Sequence, residues 1–291
     1  MMEIEVIGSG GALMTPRPGC HCRVCDEARE KGLPYTRNGP ATFIHGPDIL
    51  FDTPEDIVVS LNRARVDRVR ACFYSHWHPD HVLGRRVFEQ LNWDLRGEEG
   101  DAEGHQHRRV TDVYVPERVN KDFRKMLGTD AHLAYMESLG IIRRHVIPDG
   151  ESVEIDGIRI TPFALAEAYV YAFLLEDGRS RVMIAPDELV GWAPPDHLHG
   201  LDVAILPSGV CELHPLTGER MIAASHPVLQ TEMRYERTLE VVREMAPKWA
   251  VLIHIDEPDG ISYDDGLEIS RRLQADGLPV TIAWDGLRIE A

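Results

Sequence analysis

The stretch VRACFYSHWHPDHVLG, residues 69–84, decides how the rest of the chain is read. Its first half is a continuous apolar run of the kind that forms a strand covered on both faces. Its second half gathers His76, His78, Asp80 and His81 within six positions. Side chains alternate along an extended segment, so His76 and His78 point the same way and can share one metal ion. Asp80 and His81 follow where the chain turns, and Pro79 stiffens that turn through its fixed φ. The change of direction aims the second pair at a second ion, at the separation of about 3.5–4 Å that two-metal hydrolases use.

Upstream of this stretch, MEIEVIG, ATFIHG and ILFDT read as short strands punctuated by Gly, Pro and Asn. The first third therefore reads as sheet, with EDIVVSLNRARVDR helical. Downstream, HVLGRRVFEQL has helical spacing, residues 93–110 read as an exposed loop, and TDVYVP as a strand. ERVNKDFRKMLGTDAHLAYMESLG follows as one or two helices placed to overhang a site. Strands resume through SRVMIAPDE; DVAILPSG and WAVLIHIDEP are two more, separated by the helical TEMRYERTLEVVREMA. SYDDGLEISRRLQADG suits a helix and PVTIAWDGLRIEA a terminal hairpin turning at Asp285 and Gly286. Strands come first and then alternate with helices, in two rough halves. That order predicts an α/β fold, a sandwich of two mixed sheets flanked by helices. With 291 residues and 43% hydrophobic content, the expectation is one domain, 1–291, carrying an inserted loop and helical segment at about 93–140.

The net charge is −17 at pH 7, which repels polyanions and disfavours a long nucleic-acid substrate. A run of about eighteen apolar residues is absent, and the start lacks a basic region followed by an apolar one. The expectation is a cytoplasmic protein with a small-molecule substrate and no membrane partner; a homodimer is compatible with it. The five cysteines are odd in number and clustered, which points to metal binding in a reducing compartment. Cys20, Cys22 and Cys25 in CHCRVC can reach one face of a tetrahedral ion, a structural zinc whose fourth ligand comes from elsewhere.

At His76, His78, Asp80 and His81 the chain resembles the metallo-beta-lactamase superfamily, whose HxHxDH hallmark these residues match in full. The resemblance implies an αββα sandwich with two divalent ions, zinc or manganese, at one edge. It gives Asp187 in SRVMIAPDE the position of the bridging carboxylate and His254 in WAVLIHIDEP that of the last histidine ligand. Asp52 in ILFDTPE takes the place of an aspartate that orients the histidine loop. One ligand motif departs from the pattern, because FALAEAYVYAF contains no histidine; either Glu167 or water is expected there. His145 lies too far upstream to replace it, and His132 sits in the helical insertion.

GSGGA, CxCxxC and the histidine motif together resemble the branch of the PhnP phosphodiesterase, with PqqB nearby. In that branch a histidine three residues after the last ligand closes the cysteine site. Here that position is Glu257, so Glu257, Asp256 or a distant histidine is expected to serve. His226 in AASHPVLQTEM takes the place of an active-site histidine suited to protonating a leaving alkoxide, with His214 as its competitor. GSGG at 8–11 lacks a dinucleotide-binding spacing and reads as a turn, and His105 and His107 read as exposed loop residues.

The function so implied is metal-dependent hydrolysis of a small, possibly cyclic phosphodiester by a metal-activated hydroxide, with Asp80 and His226 as catalytic residues. Two other readings compete: thioester or lactone hydrolysis on the same site, since one fold hosts many chemistries, and a non-enzymatic metal-binding role in a cofactor pathway.

Overall fold

The computed structural model describes residues 2–93 and 109–291. His105 and His107 lie outside the described residues. The first seven-stranded sheet contains β1 (Glu3–Gly8), β2 (Ala41–His45), β3 (Ile49–Phe51), β4 (Ala71–Phe73), β5 (Thr111–Pro116) and β6 (Ile142–Ile147). The second holds β7 (Val153–Ile155), β8 (Ile158–Ala164), β9 (Tyr171–Glu176), β10 (Arg181–Ile184), β11 (Val203–Pro207), β12 (Trp249–Ile253) and β13 (Val280–Ile282). β14 (Leu287–Glu290) returns to the first sheet and pairs antiparallel with β1.

Both sheets follow one plan. Antiparallel neighbours come first, β1 to β3 and β7 to β10, and parallel strands reached through crossovers complete each sheet. The two-residue period of the strands sorts side chains between two cores. Phe51 and Phe73 point into the layer between the sheets with Phe173, Leu175 and Val251, while Leu50 and Cys72 point outward to the helical layer. The far face of the second sheet is covered in the same way, with Leu206 and Leu252 against Val241 and Val242 of the helix Tyr235–Met245. The expected αββα sandwich is what forms.

Three local expectations are corrected. PVTIAWDGLRIEA is no hairpin: β13 lies parallel to β12 in one sheet and β14 pairs with β1 in the other. Asp285 is an anchor between them, its carboxylate accepting from the N–H and hydroxyl of Ser9 at 2.8 and 2.7 Å and from the N–H of Asn38 at 2.8 Å. The first third also contains a helix, Arg23–Lys31, capped by Cys22 and carrying Cys25, so the cysteine motif straddles a helix start instead of lying in a loop. Finally, the helices Glu117–Phe123 and Thr129–Ser138 bury Phe123, Leu133 and Met136 against Val113 and Val115 on the outer face of the first sheet. They form part of the helical layer and do not overhang the site.

Parallel pairing fixes where the loops emerge. Phe51 pairs with Phe73, so Asp52 and the histidine stretch leave adjacent strands at one edge. β10, β11 and β12 are likewise parallel neighbours, which brings Asp187, Ser208 and His254 out together. The two edges are stitched by the N–H of Tyr171 to Ser75 O at 3.1 Å and the N–H of Ile255 to Ser9 O at 3.0 Å.

Candidate metal centres

Asp52 is fully buried and begins the site. Its Oδ1 accepts from the N–H of Ser75 at 2.8 Å, and its Oδ2 from the Ser75 hydroxyl at 2.6 Å and from His81 Nδ1 at 2.8 Å. Because the Ser75 proton is committed to Asp52, its oxygen accepts from His76 Nδ1 at 3.0 Å. Both imidazoles thus carry the Nδ1 proton, which turns the Nε2 lone pairs of His76 and His81 inward. Those two atoms are buried without a hydrogen-bond partner, as is Nε2 of His254. Three buried imidazole nitrogens without hydrogen-bond partners, spread over two overlapping clusters, fit bound cations far better than a folded core, where buried polar atoms are paired. Ser75 was missed in the sequence because a serine beside a metal motif carries no periodic signal.

Asp187 stands at the centre. Its Oδ2 lies 3.1 Å from His76 Nε2, 3.7 Å from His81 Nε2 and 3.8 Å from His78 Nδ1, whereas Oδ1 lies 3.4 Å from His254 Nε2. Asp80 Oδ2 is 3.3 Å from His81 Nε2 and 3.5 Å from His254 Nε2. Two overlapping sets of donors could therefore hold an ion: His76, His81 and Asp187 in one, Asp80, His81 and His254 in the other. Nitrogen and carboxylate donors suit zinc or manganese.

Electrostatics report the same crowding. Burial alone would raise Asp80 and Asp187, but the surrounding imidazoles outweigh it and hold both carboxyls well below the usual range. Burial would lower His254, yet Asp187 and Asp80 lift it to about 10, and Asp80 and Asp52 raise His81 against the same effect of burial. Burial beside His81 pushes His76 down to about 4. In the metal-free protein, protons occupy positions that divalent ions would take, and metal binding would release them.

His254 adopts φ +55° and Asp52 φ +61°, both in the left-handed region that non-glycine residues seldom enter. Strain of this kind gathers at functional sites. The Gly8–Gly11 segment is where backbone room matters: a Cβ on Gly11 would sit 2.5 Å from His254 Nδ1 and 2.8 Å from Asp256 Oδ1. That glycine serves close packing against the site as well as a turn.

Glu167 is in neither donor set. It lines the adjoining cavity of about 380 Å³, together with His78, Asp80, Asp187, His254 and Tyr169. His226 is exposed and outside that lining, at the start of the short helix Val228–Thr231, whose end residues do line it; its Nδ1 accepts from the N–H of Val228 at 3.2 Å. His214 is buried elsewhere, its Nδ1 accepting from the N–H of Leu216 at 3.2 Å. His132 pairs with Glu89, and His145 with Asp112.

At the second cluster, Glu257 is the carboxylate that geometry brings to the three cysteines. Glu257 Oε1 accepts from the thiols of Cys20 and Cys22 at 2.9 Å each and of Cys25 at 3.4 Å, so all four could hold one ion. Burial pushes the Cys22 thiol up to about 12, while the three thiols and Arg17 hold Glu257 low against its own burial. Metal coordination would deprotonate the thiols. Asp256 faces the other way: its Oδ1 accepts from the N–H of Leu13 at 2.7 Å and its Oδ2 lies 3.9 Å from His254 Nδ1.

The beta-lactamase superfamily domain matches residues 48–255, an interval that starts just before Asp52 and ends just after His254. A solved diphosphatase of the PhnP family is 22% identical, with a TM-score of 0.69 over 100% of this chain and 98% of its own. Zinc-bound PqqB from Methylobacterium extorquens is 15% identical, with a TM-score of 0.70 over the whole of both chains. A curated octanoyltransferase of Porphyromonas gingivalis is 24% identical over 99% of this chain and 53% of its own length. The chain thus spans about half the length of the curated relative it matches. Among the described residues, no helix is long and apolar enough to cross a membrane. With the matched interval covering most of the sequence and the sandwich folded around it, the chain belongs to the metallo-beta-lactamase superfamily.

Proposed function

We propose that the chain is a binuclear metal-dependent phosphodiesterase acting on a small diester. The observation that carries this reading is Asp187, whose two oxygens face different imidazoles, Oδ2 toward His76 and Oδ1 toward His254, on the wall of an open cavity. A carboxylate so placed suits a bridge between two ions, with His76, His78 and His81 on one side and Asp80, His81 and His254 on the other. Bound there, two divalent cations supply charge neutralisation at a phosphoryl oxygen and a water-derived nucleophile at neutral pH.

The chain's own groups do the rest. Asp52 and Ser75 fix both imidazole tautomers, so the donors are oriented before anything binds. Asp80 and Asp187 balance part of the cationic charge, and the cavity holds the diester against them. His226 is assigned leaving-group protonation, acting from the segment that forms the cavity rim. The cysteine cluster with Glu257 is assigned a structural zinc. The test is direct: purified protein loaded with manganese or zinc cleaves bis(p-nitrophenyl) phosphate, and absence of turnover at full metal content refutes the proposal.

A second reading is favoured by the match to an octanoyltransferase, a protein named for handling an acyl group. The same site would then open a thioester. An octanoyl thioester offered beside the diester to one metal-loaded sample separates the two by turnover.

A further inference from the structure

The three thiols gathered on Glu257 differ in how solvent reaches them: Cys22 is exposed, Cys20 half-buried and Cys25 buried. All three donate to Glu257 Oε1, and their sulfurs lie within 4.8 Å of one another. Cys22 caps the helix Arg23–Lys31, its carbonyl accepting the N–H of Asp26 at 3.0 Å, and Cys25 stands in the first turn. Residues three apart on a helix have Cα atoms about 5 Å apart, inside the range of about 4.4–6.8 Å that a disulfide spans. Cys20 precedes the helix, so no helical turn sets its spacing from Cys22. Cys72 and Cys211 lie elsewhere, fully buried in two separate cores.

An exposed sulfur backed by a buried one within bonding reach is the arrangement of a peroxide-reactive dithiol, in which the outer sulfur is oxidised and the inner one resolves it. We propose that Cys22 and Cys25 form such a pair with a hydroperoxide as co-reactant, and that their disulfide and a bound ion are mutually exclusive states of the cluster. Metal coordination requires these sulfurs as thiolates, and the thiolate is the nucleophile. Cys22 Sγ attacks one peroxide oxygen and the O–O bond breaks. That oxygen stays on sulfur as a sulfenic acid, and the other leaves as water with a proton from solvent. Cys25 Sγ then attacks the oxidised sulfur, the S–O bond breaks, and a second water leaves with a second solvent proton. The two sulfurs lose two electrons and the peroxide gains them. Cys20 and Glu257 remain as donors, too few for a tetrahedral site, so the ion departs.

The proposal is independent of the reaction assigned to the histidine centre, and its test needs no turnover. Zinc-loaded protein is treated with a small molar excess of hydrogen peroxide beside a chromophoric zinc indicator too weak to strip the untreated sample. Free thiols, counted after denaturation, are expected to fall from five to three per chain, with about one zinc ion per chain passing to the indicator. Peptide mapping should find Cys22 joined to Cys25, and dithiothreitol with added zinc should restore both thiols and metal. The double variant Cys72→Ser, Cys211→Ser should lose the same two thiols and the same zinc. Cys25→Ser, which lacks the resolving sulfur, should accumulate a sulfenic acid that dimedone captures at Cys22; should that variant not fold, the mapping of the parent decides alone. Five thiols retained, zinc released without loss of thiols, an irreversible sulfinic acid at Cys22 in place of a disulfide, or a link made through Cys20, Cys72 or Cys211 overturns the assignment.

Discussion

Replacing Asp52 by asparagine isolates what orientation contributes to metal affinity. The backbone there sits at φ +61°, a conformation asparagine tolerates nearly as well as aspartate, so the substitution adds little strain of its own. One oxygen of the Asp52 carboxylate accepts the Nδ1 proton of His81 at 2.8 Å and the Ser75 hydroxyl at 2.6 Å, and the other accepts the N–H of Ser75 at 2.8 Å. An amide keeps only one of these two acceptors. With its NH₂ toward His81 and the hydroxyl, the imidazole is driven to the other tautomer, with its proton on Nε2 where the metal should bind, and the hydroxyl turns so that His76 loses its acceptor at 3.0 Å. With its NH₂ toward the Ser75 N–H, two donors face each other in a fully buried place and the histidine loop is displaced. Either way the histidine donors are disturbed, and His81 belongs to both donor sets. Loss of an orienting partner of this kind weakens metal binding about 10- to 100-fold, or about 1.4–2.7 kcal/mol.

Competition against a chromophoric chelator would measure this, with thermal melting of metal-free protein as a control for folding. The weaker affinity is expected at the histidine centre, while the ion bound by the cysteines is retained. Asp52→Asn protein that folds and binds its histidine-site ions within twofold of the parent would refute the claim that Asp52 prepares the site.

Gly11→Ala places a Cβ 2.5 Å from His254 Nδ1; metal analysis should show histidine-site ions lost and the cysteine-bound ion kept, and a full complement would contradict the close-packing argument. His226→Asn should slow hydrolysis of diesters with alkyl leaving groups about 10²-fold or more, the range of general acid catalysis, and barely affect p-nitrophenyl esters, whose acidic phenol departs unprotonated; equal effects on both would remove His226 from the chemistry. Glu257→Gln should release the cysteine-bound ion, lowering bound metal by about one per chain and exposing thiols to a disulfide reagent, whereas Glu257→His should retain it. Burial raises Asp56 from 3.8 to about 6, so the fold favours its protonated form and its stabilising contribution disappears as pH rises through 6. Asp56→Asn should therefore melt above the parent at pH 8, by about 1 kcal/mol after allowance for partial solvent access, and level with it at pH 4; a gap constant across that range would rule the linkage out.

How much of this was legible in the sequence depends on what each residue's role requires. His76, His78, Asp80 and His81 stood out because metal ligation needs particular atoms at particular spacing, and the fold gathers His76, Asp80 and His81 into the candidate clusters. The αββα layers were readable because strands buried on both faces carry unbroken apolar runs, as Ala71–Phe73 and Val203–Pro207 do. The terminal segment was misread because a local Asp-Gly turn signal competes with pairing decided elsewhere: β14 is drawn to β1 at the other end of the sequence, and Asp285 is held by Ser9, Asn38 and Arg63. The helix Arg23–Lys31 was missed because its first turn is occupied by a metal motif, which hides helical spacing. Ser75, Glu188 and Glu232 were invisible for a related reason, and Glu167 was singled out as a ligand candidate without its place on the cavity wall. Glu167, Glu188 and Glu232 come from three separate loops, and nothing in any one loop announces that they share a wall.

The two candidate centres meet in one short segment. After β12, His254 faces the histidine cluster, Ile255 bridges to Gly10, Asp256 accepts from Leu13, and Glu257 reaches the cysteines. Leu13 returns the contact by accepting the N–H of Glu257 at 2.8 Å, and with Ala12 it lines the cavity. Four consecutive residues thus tie a candidate metal ligand in a strained backbone conformation to a cavity wall and to the second candidate cluster. A structural ion on the cysteines would stabilise that conformation from one end, while the Gly10–Ile255 bridge fixes it in the middle. An ion there would give the cysteine cluster a physical role at a distance from the chemistry, holding the His254 backbone where relaxation would otherwise carry the imidazole away from Asp80 and Asp187.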